Sequence, residues 1–167
     1  MMQDWERKME EEWGRPFVHE SGHALMAILQ EVPCYGICYE RDSGKFCCSF
    51  PPKPSGERSK KDYLVSAAGT AAERVIYGNN DSDAAGADRG DFDKPDSPSP
   101  EETTNGACGI LSGKKRHLKR LISMLKAKVR QIDFDLGRLP EKGMEGSKKR
   151  YLILLSKEEL EAAVHRP

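Results

Sequence analysis

The chain has 167 residues, 32% of them charged and 37% hydrophobic, with 27 Lys and Arg balancing 27 Asp and Glu. That length fits one domain of ordinary size and excludes a nucleotide-driven motor module beside a catalytic unit. No run approaches the roughly 18 to 20 apolar residues that cross a bilayer. The start, MMQDWERKMEEEWGRP, is acidic where an export signal is basic and then apolar, so a cytoplasmic protein is expected. Five cysteines, an odd number, then read as reduced thiols and not as a disulfide framework.

In chain order, Trp5, Met9 and Trp13 recur every fourth residue and predict a short amphipathic helix that Gly14 ends. Pro16 suits a first helical turn. From there PFVHESGHALMAILQEV runs to Pro33 with apolar side chains on most faces, the pattern of a buried helix. Two β-prone runs follow in CYGICYERDSGKFCCSF, joined at Ser43-Gly44 as a hairpin. The segment KDYLVSAAGTAAERVIYG predicts a helix that Gly78 caps.

Residues 81–102 then carry a net charge of −6, and residues 95–113 have the composition of a loop or linker. Leu118, Leu121, Ile122, Leu125 and Val129 mark one face of a helix whose other face holds eight Lys and Arg between 114 and 130. That stretch has no aromatic side chain to stack on bases, so a nucleic-acid partner is not expected. Residues 137–149 read as a polar loop, and Ser156 with Glu159 forms a capping box before a last short helix. Together these predict one domain over 1–167. It has a core at 1–94, a linker at 95–113 and a helical part at 114–167.

Chemistry concentrates in His19-Glu20-Ser21-Gly22-His23. At 3.6 residues per turn, His19 and His23 share a helix face about 5 to 6 Å apart at Cβ, so both imidazoles reach one tetrahedral Zn²⁺. Glu20 is turned by about 100° and stands beside the metal's open position without binding it. Two histidines and a glutamate on an apolar helix are costly to bury without partners, which favours a metal over a packed histidine pair. A catalytic zinc takes a third protein ligand. Met26 and Leu29 stand where a metzincin continuation needs Gly and His, and His117 and His165 lie in poor surroundings. Glu73 and the acidic cluster around Asp91 are the candidates.

HESGHA, then AAGTAAERVIYG, then DRGDFDK resemble the peptidase domain of FtsH-type AAA proteases over residues 16–94. That family has a His-Glu-x-Gly-His-Ala helix, a Gly-x-Ala-Ala-Glu-Glu helix and an Asp-Leu-Glu segment. The resemblance implies a zincin-like, mainly α fold with a small β hairpin, and zinc held by His19, His23 and Asp91, with Glu20 as general base. Asp88 and Asp93 are close enough in sequence to take the place of Asp91. Glu73 matches the first glutamate of the second motif and could support a ligand histidine from behind. No Gly-x-x-x-x-Gly-Lys-[Ser/Thr] phosphate loop is present, so the chain has no ATP site of its own. The expected activity is ATP-independent hydrolysis of peptides or loosely folded segments. The alternative is a degenerate zinc-binding relative that serves as an interaction module.

Overall fold

The computed structural model describes residues 7, 9–40, 43–51, 58–79, 92–136 and 151–165. The molecule is mainly helical with one small antiparallel sheet, an α+β arrangement. Helix α1 (Gly14–Leu29) is followed by β1 (Gly36–Glu40), β2 (Lys45–Ser49) and α2 (Lys60–Tyr77). Then come α3 (Pro100–Ser112), α4 (Lys115–Leu136), β3 (Tyr151–Ser156) and α5 (Lys157–His165). No helix among the described residues is long and apolar enough to cross a membrane.

Helix α1 is the spine. Phe17, Leu25 and Met26 are fully buried in it, and it packs against α2, α4, α5 and both strands of the hairpin. Gly14 does not end the preceding helix as its sequence suggests. A π-helical turn, Met9–Trp13, runs straight into α1, and Trp13 packs on Phe17 and Phe46 with ring centroids 6.4 and 5.7 Å away. This aromatic contact holds the chain on course where Gly14 offers only backbone freedom. At its far end α1 stops at Leu29, short of Pro33. Glu31 turns to φ 57°, and the Val32 N–H bonds back to the Ala27 carbonyl at 2.8 Å.

Small residues let α1 and α2 approach closely. A Cβ placed on Gly22 would run into the Ala68 carbonyl and stand 2.5 Å from the Ala72 side chain. Helix α2 begins with a capping box, in which the Asp62 N–H donates to Ser59 Oγ and the Ser59 N–H to Asp62 Oδ2. It ends at Gly78 in the left-handed conformation, φ 81°, as its sequence predicts.

The sheet has the order β2-β1-β3, so the hairpin gains a third strand. Its ladder closes at Glu40–Lys45, and four residues form the connection instead of the expected two. Strand β3 comes from the run YLILL, which periodicity alone cannot assign to strand or helix. Leu154 and Leu155 are buried, and β3 pairs with β1 antiparallel across an irregularity at Ile37/Cys38.

The expected linker at 95–113 is also corrected, because Pro100–Ser112 is helix α3. Ser99 caps it by accepting from the Glu102 N–H, Pro100 fits the first turn, and Ala107 and Leu111 are fully buried. Helix α4 buries Leu118, Leu121, Ile122, Leu125 and Val129, the stripe expected of it. The Ser156–Glu159 capping box forms as expected before α5. The start of the expected amphipathic helix around Trp5, the acidic residues 81–91 and the polar loop 137–149 lie outside the described residues.

Candidate metal centre

His19 and His23 stand one turn apart on α1, buried to 6% and 8% exposure, with their Nε2 atoms 3.1 Å from each other. The other nitrogen of each ring is committed. His23 Nδ1 lies 2.6 Å from the Val65 carbonyl oxygen, and His19 Nδ1 lies 3.0 Å from Glu73 Oε2. A carbonyl can only accept, so the His23 proton is on Nδ1. A carboxylate at 3.0 Å likewise places the His19 proton on Nδ1. Both rings therefore turn Nε2 toward each other at 3.1 Å, a spacing at which a proton or a cation fits between the two nitrogens.

A zinc ion fits this donor set. Two nitrogens each about 2.0 to 2.1 Å from one tetrahedral ion stand about 3.3 Å apart, close to the separation observed. Fixing imidazoles through Nδ1 with a carboxylate and a carbonyl is also how metal-ligating histidines are oriented. The facing helix leaves room. A Cβ on Gly69 of α2 would lie 2.5 Å from both Nε2 atoms, so only glycine is tolerated opposite the pair.

Glu73 is fully buried, and Arg15 Nη1 approaches its Oε1 at 3.4 Å. With His19 on one oxygen and Arg15 on the other, Glu73 lies behind the histidine pair. This is the position from which a carboxylate can orient His19 through Nδ1. Asp93 is exposed, whereas Asp91 and Asp88 lie outside the described residues. Among the described residues no group of three or more His, Cys, Asp and Glu forms a metal site. The residue after Asp91, Phe92, packs its ring 5.3 Å from that of Tyr63 on α2, two positions before Val65.

Glu20 faces the hairpin, where its Oε2 accepts the backbone N–H of Cys48 at 2.9 Å. That N–H therefore points away from β1, toward the open edge of the sheet beside α1. His117 and His165 line a cavity with the C-terminal end of α1.

Three contributors escape motif reading: the Val65 carbonyl, Arg15 and Cys48. Gly69 stands in the second quoted motif, a glycine in mid-helix where Ala would be favoured by about 1 kcal/mol. The scan of protein-family models and the searches of curated proteins and of solved structures each find no match to this chain.

Proposed function

We propose that the chain is a zinc-dependent metallopeptidase that cleaves peptides or loosely folded segments without ATP. The observation that carries this reading is the pair of inward Nε2 lone pairs, 3.1 Å apart and each fixed from behind, with Glu20 next in sequence to the first. His19 and His23 would hold the metal, with Asp91 as third ligand, the assignment that the resemblance to FtsH-type peptidases suggests. The anchoring of Phe92 on Tyr63 supports it. A zinc ion bound there supplies Lewis acidity, which acidifies water and polarises a scissile carbonyl.

The rest falls to the chain. Glu73 and the Val65 carbonyl keep both imidazoles in the metal-binding tautomer. Glu20, steadied by the Cys48 N–H, takes the proton of the attacking water on its carboxylate and returns it to the leaving amine.

The test compares zinc content by elemental mass spectrometry with cleavage of a quenched fluorescent peptide. Wild type should take up one zinc and cleave. Glu20→Gln should keep the zinc and lose roughly 10²- to 10⁴-fold in rate, the usual worth of a general base. Cleavage unchanged in Glu20→Gln would overturn the mechanism. Zinc uptake without any cleavage in wild type would favour the interaction module.

A further inference from the structure

Successive side chains of a strand point to opposite faces of its sheet. Ile37, Tyr39, Phe46 and Cys48 pack in the core, so Cys38 and Cys47, which alternate with them, turn to the other face. The register sets these two cysteines directly against each other on β1 and β2. On its other side Cys38 faces Ile153 of β3, which is 60% exposed, so the row Cys47–Cys38–Ile153 crosses the sheet and opens to solvent at β3. All five cysteines are reduced thiols; Cys47 is partly exposed and Cys38 is buried.

The ladder fixes how close the two come. Along an antiparallel ladder the N–H groups point alternately toward and away from the partner strand. Cys48 gives its N–H to Glu20, so the N–H of Cys47 turns to β1. Cys38–Cys47 is therefore a hydrogen-bonded pair, in which opposed Cα atoms stand about 5.5 Å apart. Disulfides most often span about 5.5 to 6 Å between Cα atoms. The two sulfurs can bond with the strands left in register. No other cysteine pair is opposed in the sheet, since Cys48 faces Ile37 and Cys34 and Cys108 lie outside the strands.

We infer that Cys38 and Cys47 are a redox-active pair, closed to a cross-strand disulfide by a low-molecular-weight disulfide and reopened by a thiol reductant. With glutathione disulfide as oxidant the chemistry balances. Cys47, the accessible thiol, loses its proton and attacks one sulfur of the reagent. The S–S bond of the reagent breaks, and one glutathione leaves as thiolate and takes up a proton. Cys38 then loses its proton and attacks Cys47 Sγ, and the second glutathione leaves in the same way. Two thiols become one disulfide, and the two electrons and two protons end on two glutathione molecules. Burial holds the Cys38 thiol above its ordinary pKa, which leaves the first attack to Cys47.

The bond closes the loop 38–47 around the hairpin turn. Among the described residues β2 pairs with β1 alone, so the bond ties down an edge strand, beside the residue whose N–H holds Glu20. A cross-link of this kind stabilises mainly by constraining the unfolded chain.

The inference does not depend on the peptidase reading, and its test needs no cleavage. The full chain is incubated with glutathione disulfide, alkylated, and digested with trypsin without reduction. Arg41 and Lys45 separate Cys34 and Cys38 from Cys47 and Cys48, so a bond between the strands joins two peptides at a mass two hydrogens below their sum. The linked mass is expected in wild type and in Cys34→Ser/Cys48→Ser, and is expected to be lost in Cys47→Ser and after dithiothreitol. Fragmentation of the linked peptides in the mass spectrometer reads which cysteines are joined, so the assignment stands even where a variant fails to fold. A bond that involves Cys34 or Cys48, a glutathione adduct that stays on Cys47 without closing, or a wild-type chain that forms no link overturns the inference. The urea midpoint of the linked chain should lie above that of the reduced chain and return to it with dithiothreitol. A linked chain whose midpoint does not rise overturns the tie between the strands.

Discussion

Each candidate ligand is held by the nitrogen that faces away from its neighbour, so its basicity and direction are set by what lies behind it. For His19 this is Glu73, a carboxylate with no exposed surface whose charge is shared with His19 and Arg15. Glu73→Gln keeps the shape and an accepting oxygen but removes the charge. Zinc affinity, measured by competition with a chelating dye, should fall roughly 10- to 100-fold, the usual effect of losing such a partner, with the far-ultraviolet circular dichroism unchanged. An unaltered affinity would make Glu73 a mere filler. At this scale the His-Glu-x-x-His spacing was readable because its meaning lies in side chains on one helix. The Val65 carbonyl was not, since any residue at position 65 offers the same backbone oxygen. Cys48 acts through its N–H and is equally silent in the sequence.

Val65, Gly69 and Glu73 are spaced by four, one stripe down α2. The stripe meets His23 at its start and His19 at its end, so α1 and α2 run antiparallel at the site and α2 acts as a single positioning bar. The bar's own start is fixed by the Ser59–Asp62 capping box. Ser59→Ala leaves the Asp62 N–H without its acceptor and should destabilise the chain by about 1 kcal/mol, read as a lower urea midpoint at unchanged slope.

Helix α2 was legible from its alanines, its apolar period and Gly78. Helix α3 was hidden because SPSPEETTNGACG looks like a linker by composition, and only Ser99, Pro100 and two early glutamates hint at a helix start. Strand β3 was hidden for another reason. A five-residue apolar run becomes a strand only when β1 offers it an edge, and that partner is more than a hundred residues away.

At the scale of the molecule, the balanced charge conceals a division, since the basic face of α4 is tied to α5 by Lys128–Glu159 at 3.2 Å and by Arg120 on the Ala163 carbonyl at 2.7 Å. Helix α1 touches nearly every other element, so whatever clamps His19 and His23 acts on the structure as a whole. A ligand that binds only the folded chain stabilises it by RT ln(1 + [L]/Kd), about 2.7 kcal/mol at a hundredfold excess of free zinc over Kd. For a chain of this size each kcal/mol is worth roughly 2 to 4 °C, so zinc should raise Tm by roughly 5 to 10 °C over a chelator-treated sample. On the proposed roles, with Glu20 as base and His23 as ligand, Glu20→Gln should show the full rise and His23→Ala should show none. Gly69→Ala is the most discriminating variant. Its methyl would stand 2.5 Å from both Nε2 atoms and take the space they face, so the zinc-dependent rise should vanish even where helix propensity favours alanine. A rise that persists in Gly69→Ala, or is absent in wild type, would mean that the two histidines are a packed pair sharing a proton.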